Sequence, residues 1–70
     1  MRKAEKNDFL NNVAICVTER YGVDKSMADS LVHASVVSKL IQKMPEFVGH
    51  ESIYSWAEEV WDEHKEAMAQ

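Results

Sequence analysis

Apolar residues recur along this chain at helical spacing in three separate stretches, with no strand-like alternation between them. The first stretch is cleanly two-sided. At about 100° per residue, Phe9, Leu10, Val13, Ala14, Cys16, Val17 and Tyr21 fall within an arc of about 160°. Asn11, Asn12, Thr18 and Glu19 lie opposite, with Ile15 isolated among them. The third stretch is equally clear: Ile53, Trp56, Ala57, Val60, Trp61, His64 and Met68 share one face. The second stretch, Met27 to Met44, has no polar side. One stripe runs through Met27, Leu31, Ala34, Val37 and Ile41, and another through Val36, Leu40 and Met44, flanked by Val32. A helix that is apolar all round must be covered on more than one flank.

Glycine, proline and capping residues punctuate these stretches. Gly22 ends the first, and Asp24 or Ser26 can cap the second, where Ser26-Met27-Ala28-Asp29 approximates a capping box. Pro45 stops the second, and His50 or Ser52 can cap the third. The pattern predicts helices over 6–21, 25–44 and 51–68, with residues 1–5 a flexible N-terminal arm. The expected fold is a single all-α domain over residues 1–70, a small three-helix bundle with the second helix at its centre. Its first stripe faces helices one and three, while Phe47 and Val48 cover part of the second stripe.

Size sharpens that expectation. A chain of 70 residues buries only roughly 60% of the surface its unfolded form exposes. Ordering costs about 1.5 kcal/mol per residue, so apolar burial within one copy comes close to break-even. The single cysteine, Cys16, can form no intrachain disulfide, and no cysteine or close histidine pair suggests a structural zinc. Good packing or self-association remains. The reading is a homo-oligomer, a dimer, joined through the second stripe or the tryptophan-framed edge of helix three. Val36, Leu40, Met44, Phe47, Tyr54 and Trp61 are the expected interface.

Charge adds a second surface. The net charge of −4 is unevenly spread. Residues 1–45 carry seven basic and five acidic side chains (+2), and residues 46–70 carry one basic and seven acidic (−6). Glu58, Glu59, Asp62, Glu63 and Glu66 form one acidic face on helix three. It reads first as a solvated face and second as a strip that docks on a basic protein or imitates nucleic acid. Direct DNA binding is disfavoured. Met27 to Leu40 resembles a helix-turn-helix only loosely, because Val32-His33-Ala34 offers no glycine and no breaker where the turn belongs. The pI of 5.2 is far below the basic footprint that phosphate neutralisation requires. Arg2, Lys3 and Lys6 form at most a small basic arm.

Catalytic chemistry finds little support. Asp29 and His33 share a helix face, but a metal site needs three or four ligands. His64 lies on an apolar stripe, where it must satisfy its ring nitrogens or meet water. Cys16 sits on an apolar face with nothing nearby to lower its pKa. The serines lack a nucleophile elbow, the carboxylates of helix three line a convex face, and no glycine-rich phosphate loop occurs. The start of the chain lacks the apolar core of a secretion signal, and no run is long enough to span a bilayer. The sequence therefore reads as a cytoplasmic, non-enzymatic protein-interaction module without cofactor or metal, self-associating through helices two and three. A nucleic-acid-related regulator is the alternative, and a ligand or metal site assembled across a dimer comes third.

Overall fold

The second apolar stretch is two helices, not one. The computed structural model describes residues 1–69 and is all-helical over that range. Its elements are α1 (Lys3–Tyr21), α2 (Lys25–Ala34), α3 (Val36–Lys43), α4 (Pro45–His50) and α5 (Ile53–Met68). Ser35, between α2 and α3, is extended (φ −87°, ψ 166°) and only 2% exposed.

That break accounts for the missing polar side. Ala28 and Val32 are the buried residues of α2, and Val37 and Ile41 those of α3. Each member of the second pair lies nine positions beyond its counterpart (37 − 28 and 41 − 32), which on an unbroken helix is about 180° around the axis. A straight helix would aim one pair at the core and the other at water. One extended residue rotates α3 so that both pairs face the same interior. The energetics favour the break. Continuing the helix regains a few backbone hydrogen bonds at about 0.5–1.5 kcal/mol each. It forfeits burial of Val37 and Ile41, about 1.5–3 kcal/mol each. Local bonds also support the corner: the Ser35 hydroxyl donates to Val32 O (2.8 Å), and the Ser38 hydroxyl to His33 O and Ser35 O (both 2.9 Å).

The described residues form five helices rather than the expected three. The position of the second is also different: α1 packs against α2, α3 and α5, and its contacts with α2 and α5 are the most extensive in the fold. The assigned inward stripe is wrong in its first half, since Met27 and Ala34 are exposed while Ala28 is fully buried. Cover from outside the chain was expected for an unbroken helix; the break turns Val37 and Ile41 inward and leaves Val36 and Leu40 half-buried.

The remaining elements follow their sequence signals closely. α1 buries Leu10, Val13, Ala14, Cys16 and Val17, the centre of the arc seen in the pattern. It starts at Lys3, inside the segment expected to be an arm, with the Arg2 N–H donating to Glu5 (3.4 Å). Gly22 closes it in the left-handed conformation (φ 73°), its N–H bonded to Thr18 O. Asp24 caps α2 by accepting from Met27 N–H (2.7 Å). Asp29, expected in a capping box with Ser26, instead pairs with Lys25 (2.8 Å), which also reaches Asn11 on α1 (2.7 Å). Pro45 both ends the α3 segment and opens α4 at its first position. Ser52 caps α5 by accepting from Ser55 N–H (3.1 Å). α5 buries Trp56, Ala57 and Val60, while Met68, placed on its apolar stripe, is exposed. No described helix is long and apolar enough to cross a membrane.

The corrected phase of α2 is testable by overpacking. Ala28→Leu forces a branched side chain into a fully buried site and is expected to lower stability by about 1–3 kcal/mol. Ala34→Leu, at an exposed site, stays within about 0.5 kcal/mol. Urea titration of the two variants checks the order, and the straight-helix arrangement predicts the reverse.

Candidate functional site

The break at Ser35 leaves one face of α3 uncovered. Val36 and Leu40, one turn apart, are half-buried there. With Phe47 of α4 and Trp56 of α5 they line a groove of about 350 Å³. Glu51, Ser55 and Glu59 complete the lining, so both charged groups in it are carboxylates. The floor is rigidly held. Trp56 is 7% exposed, and its Nε1–H donates to Val48 O across to α4 (3.0 Å). Phe47 stands edge-on to the Trp56 ring, centroids 6.3 Å apart, and remains 47% exposed. A half-exposed phenylalanine braced on a buried tryptophan offers an apolar surface without needing to reorganise.

The six expected interface residues divide among four places. Val36, Leu40 and Phe47 share the groove. Met44 is half exposed at the α3–α4 corner. Tyr54 is 67% exposed and lies on another side, where it lines a shallow depression with Ile15 and Ile53. Trp61 is half-buried in an internal stack on Tyr21, with rings 4.7 Å apart and nearly parallel. Trp56, assigned to the core by its pattern, is the tryptophan that reaches the groove. Sequence periodicity could not separate the two rings, because both sit at edges of one stripe and only the placement of α4 decides which edge stays open.

The acidic face loses one member to a structural task. Glu58, Glu59, Asp62 and Glu66 are exposed, but Glu63 is half-buried. Its two carboxylate oxygens accept from the Val36 N–H at 3.2 and 3.3 Å, which caps the start of α3 from a different helix. Burial, the largest influence, pushes the Glu63 carboxyl above its ordinary 4.5. Glu59 and Glu66 add to the rise, and the Val36 N–H and Lys39 oppose it. The folded protein therefore binds this proton more tightly than the unfolded chain does. Glu63's contribution to stability is fully present below pH 4.5 and is lost as pH rises through the folded pKa. Glu63→Gln keeps an acceptor for Val36 N–H and removes the charge. Its stability relative to the parent is expected to improve steadily from acid towards neutral pH, measured by urea denaturation across that range. A flat difference contradicts this account.

The remaining candidate groups do not assemble. Asp29 and His33 line a small hollow with Asn7 and Asn11, and Asp29 is already paired with Lys25. His64 packs against Trp61 with rings 5.2 Å apart and shares a cavity with Glu63 and Ser35. Cys16 is buried, and that burial pushes its thiol up from the ordinary 9.0, against Arg20, which lowers it, and with Glu19, which adds to the rise. Among the described residues no group of three or more His, Cys, Asp or Glu side chains is placed to hold a metal ion. The chain matches no protein-family model, no curated protein and no solved structure.

Proposed function

We propose that this protein is a non-enzymatic interaction module whose contact surface is the groove between α3, α4 and α5. The observation that carries the reading is Phe47, held half-exposed against a buried and hydrogen-bonded Trp56. Interfaces concentrate their binding energy in aromatic anchors within well-packed apolar patches. Rigid patches of this kind lose little freedom when a partner arrives. Self-association, expected from the sequence, rested on an unbroken second helix; with the break at Ser35, Val37 and Ile41 are fully buried while Val36, Leu40 and Met44 stay partly open.

Nucleic acid is a weaker occupant of the same surface. The corner at Ser35 supplies the breaker that the helix-turn-helix comparison lacked, which makes α3 the would-be recognition helix. Such a helix presents its N-terminal residues to base edges. Here that end is tied to the Glu63 carboxylate and faces a groove lined by Glu59, so phosphates would be repelled.

Site-specific photocrosslinking tests the reading. A photoreactive phenylalanine analogue at position 47 is expected to yield a protein adduct in the cells that make this chain. The same analogue at Met27, exposed on α2 away from the groove, is expected to yield none. Absence of a protein adduct at position 47, with the labelled chain folded, overturns the reading.

A further inference from the structure

We infer that the groove receives an amphipathic helix of another protein, one with apolar anchors along a face and lysine or arginine beside them. This rests on the interaction-module reading and specifies the partner's chemistry. The shape comes first. Val36 and Leu40, one turn apart on α3, line it together with Ser55, Trp56 and Glu59, within about a turn of one another on α5, and Phe47 of α4. A trough running between two helices is matched by a third helix laying its i, i+3/i+4 and i+7 side chains into it. The groove is open to solvent, so it takes the anchoring face and leaves the rest of the visitor outside.

Charge then chooses the occupant. The charged groups in the lining are Glu51 and Glu59, while Lys39 and Lys43 of α3 are exposed outside it. A basic flank on the visiting helix meets carboxylates on the rim, where opposite charges speed encounter and select among partners. A second copy fits less well. A two-fold contact presents the same patch from both sides, so the four carboxylates of two rims would gather around one apolar centre. The exposed apolar residues that a broader dimer face would need are also dispersed, with Tyr54 beside Ile15 in a separate depression.

The experiment uses the full chain and a synthetic helical peptide with leucines at i, i+4 and i+7 and lysines flanking them. Two control peptides exchange its lysines for glutamates or its leucines for serines. Binding is followed by chemical shifts of the Val36 and Leu40 methyl groups and the Trp56 indole N–H. The basic peptide is expected to move these signals, and both controls to leave them in place. Glu51→Gln and Glu59→Gln, at exposed positions, are each expected to weaken binding about threefold at low salt. Phe47→Ser, also at an exposed site, is expected to weaken it more. Equal binding of the basic and acidic peptides overturns the inference, as does no shift with any peptide. Concentration-dependent self-association abolished by Phe47→Ser overturns it in favour of a second copy. In each of these cases an adduct at position 47 leaves the interaction-module reading standing, whereas its absence removes both.

Discussion

Trp56→Ala is expected to be among the most damaging single truncations in this protein, lowering stability by about 3–5 kcal/mol. A chain of this length holds roughly 4–10 kcal/mol in total, so the variant sits near the edge of folding. Three losses combine. The indole is buried among core residues, it braces the Phe47 ring, and its N–H ties α5 to the end of α4. Trp56→Phe separates them. It keeps most of the ring packing and the contact with Phe47 but removes the N–H. Val48 O still accepts from Glu51 N–H (3.2 Å), so no buried carbonyl is orphaned. The expected cost falls to about 1–2 kcal/mol. Urea denaturation measures both. Equal losses in the two variants would mean that the hydrogen bond, rather than the ring, joins α4 to the fold.

Ile41→Ala is expected to cost about 2–5 kcal/mol, the range for emptying a fully enclosed site, and Met27→Ala about 0.5 kcal/mol or less. The comparison is informative because the two residues occupy one stripe of a straight helix. On an unbroken helix their losses would be similar. With the corner at Ser35, Ile41 is completely enclosed while Met27 is exposed. Thermal melts give the readout, at about 4–8 °C per kcal/mol for a domain of this size. Similar shifts for the two variants would restore the straight helix and, with it, the requirement for an outside partner to cover it.

Local signals were legible wherever one residue could decide the outcome. The faces of α1 and α5 follow from period alone, because each is a single uninterrupted helix with a wide polar side. Gly22, Asp24, Pro45 and Ser52 mark helix ends through their own backbone and side-chain chemistry. Ser35 carried no comparable mark. Serine is tolerated in helices, and neither glycine nor proline stands near it. The sign of the break was present in another form, the absence of a polar side, and two explanations fitted it: a helix covered from outside, or two helices out of phase. Only the burial of Ala28 and Val32 together with Val37 and Ile41 separates them.

The candidate surface divides in the same way. Val36, Leu40 and Phe47 were recognisable as apolar residues left over once the core was assigned. Trp56 and Trp61 were indistinguishable, and Glu63 looked like its neighbours on an acidic face. What separates them is contact across elements. α4 accepts the Trp56 N–H at Val48 O and sets Phe47 against the Trp56 ring, Tyr21 stacks on Trp61, and Val36 N–H reaches Glu63 over a separation of 27 residues.

By itself, then, the amino-acid order determined that this chain is helical, where most of its helices start and stop, and which sides of α1 and α5 turn inward. These depend on interactions within about a turn of the chain, which spacing and residue type record directly. The tertiary structure decided the corner at Ser35, the place of α1 at the centre and the groove around Phe47. Each of those balances a local backbone preference against burial supplied by residues far away in sequence, and no one-dimensional pattern records that balance.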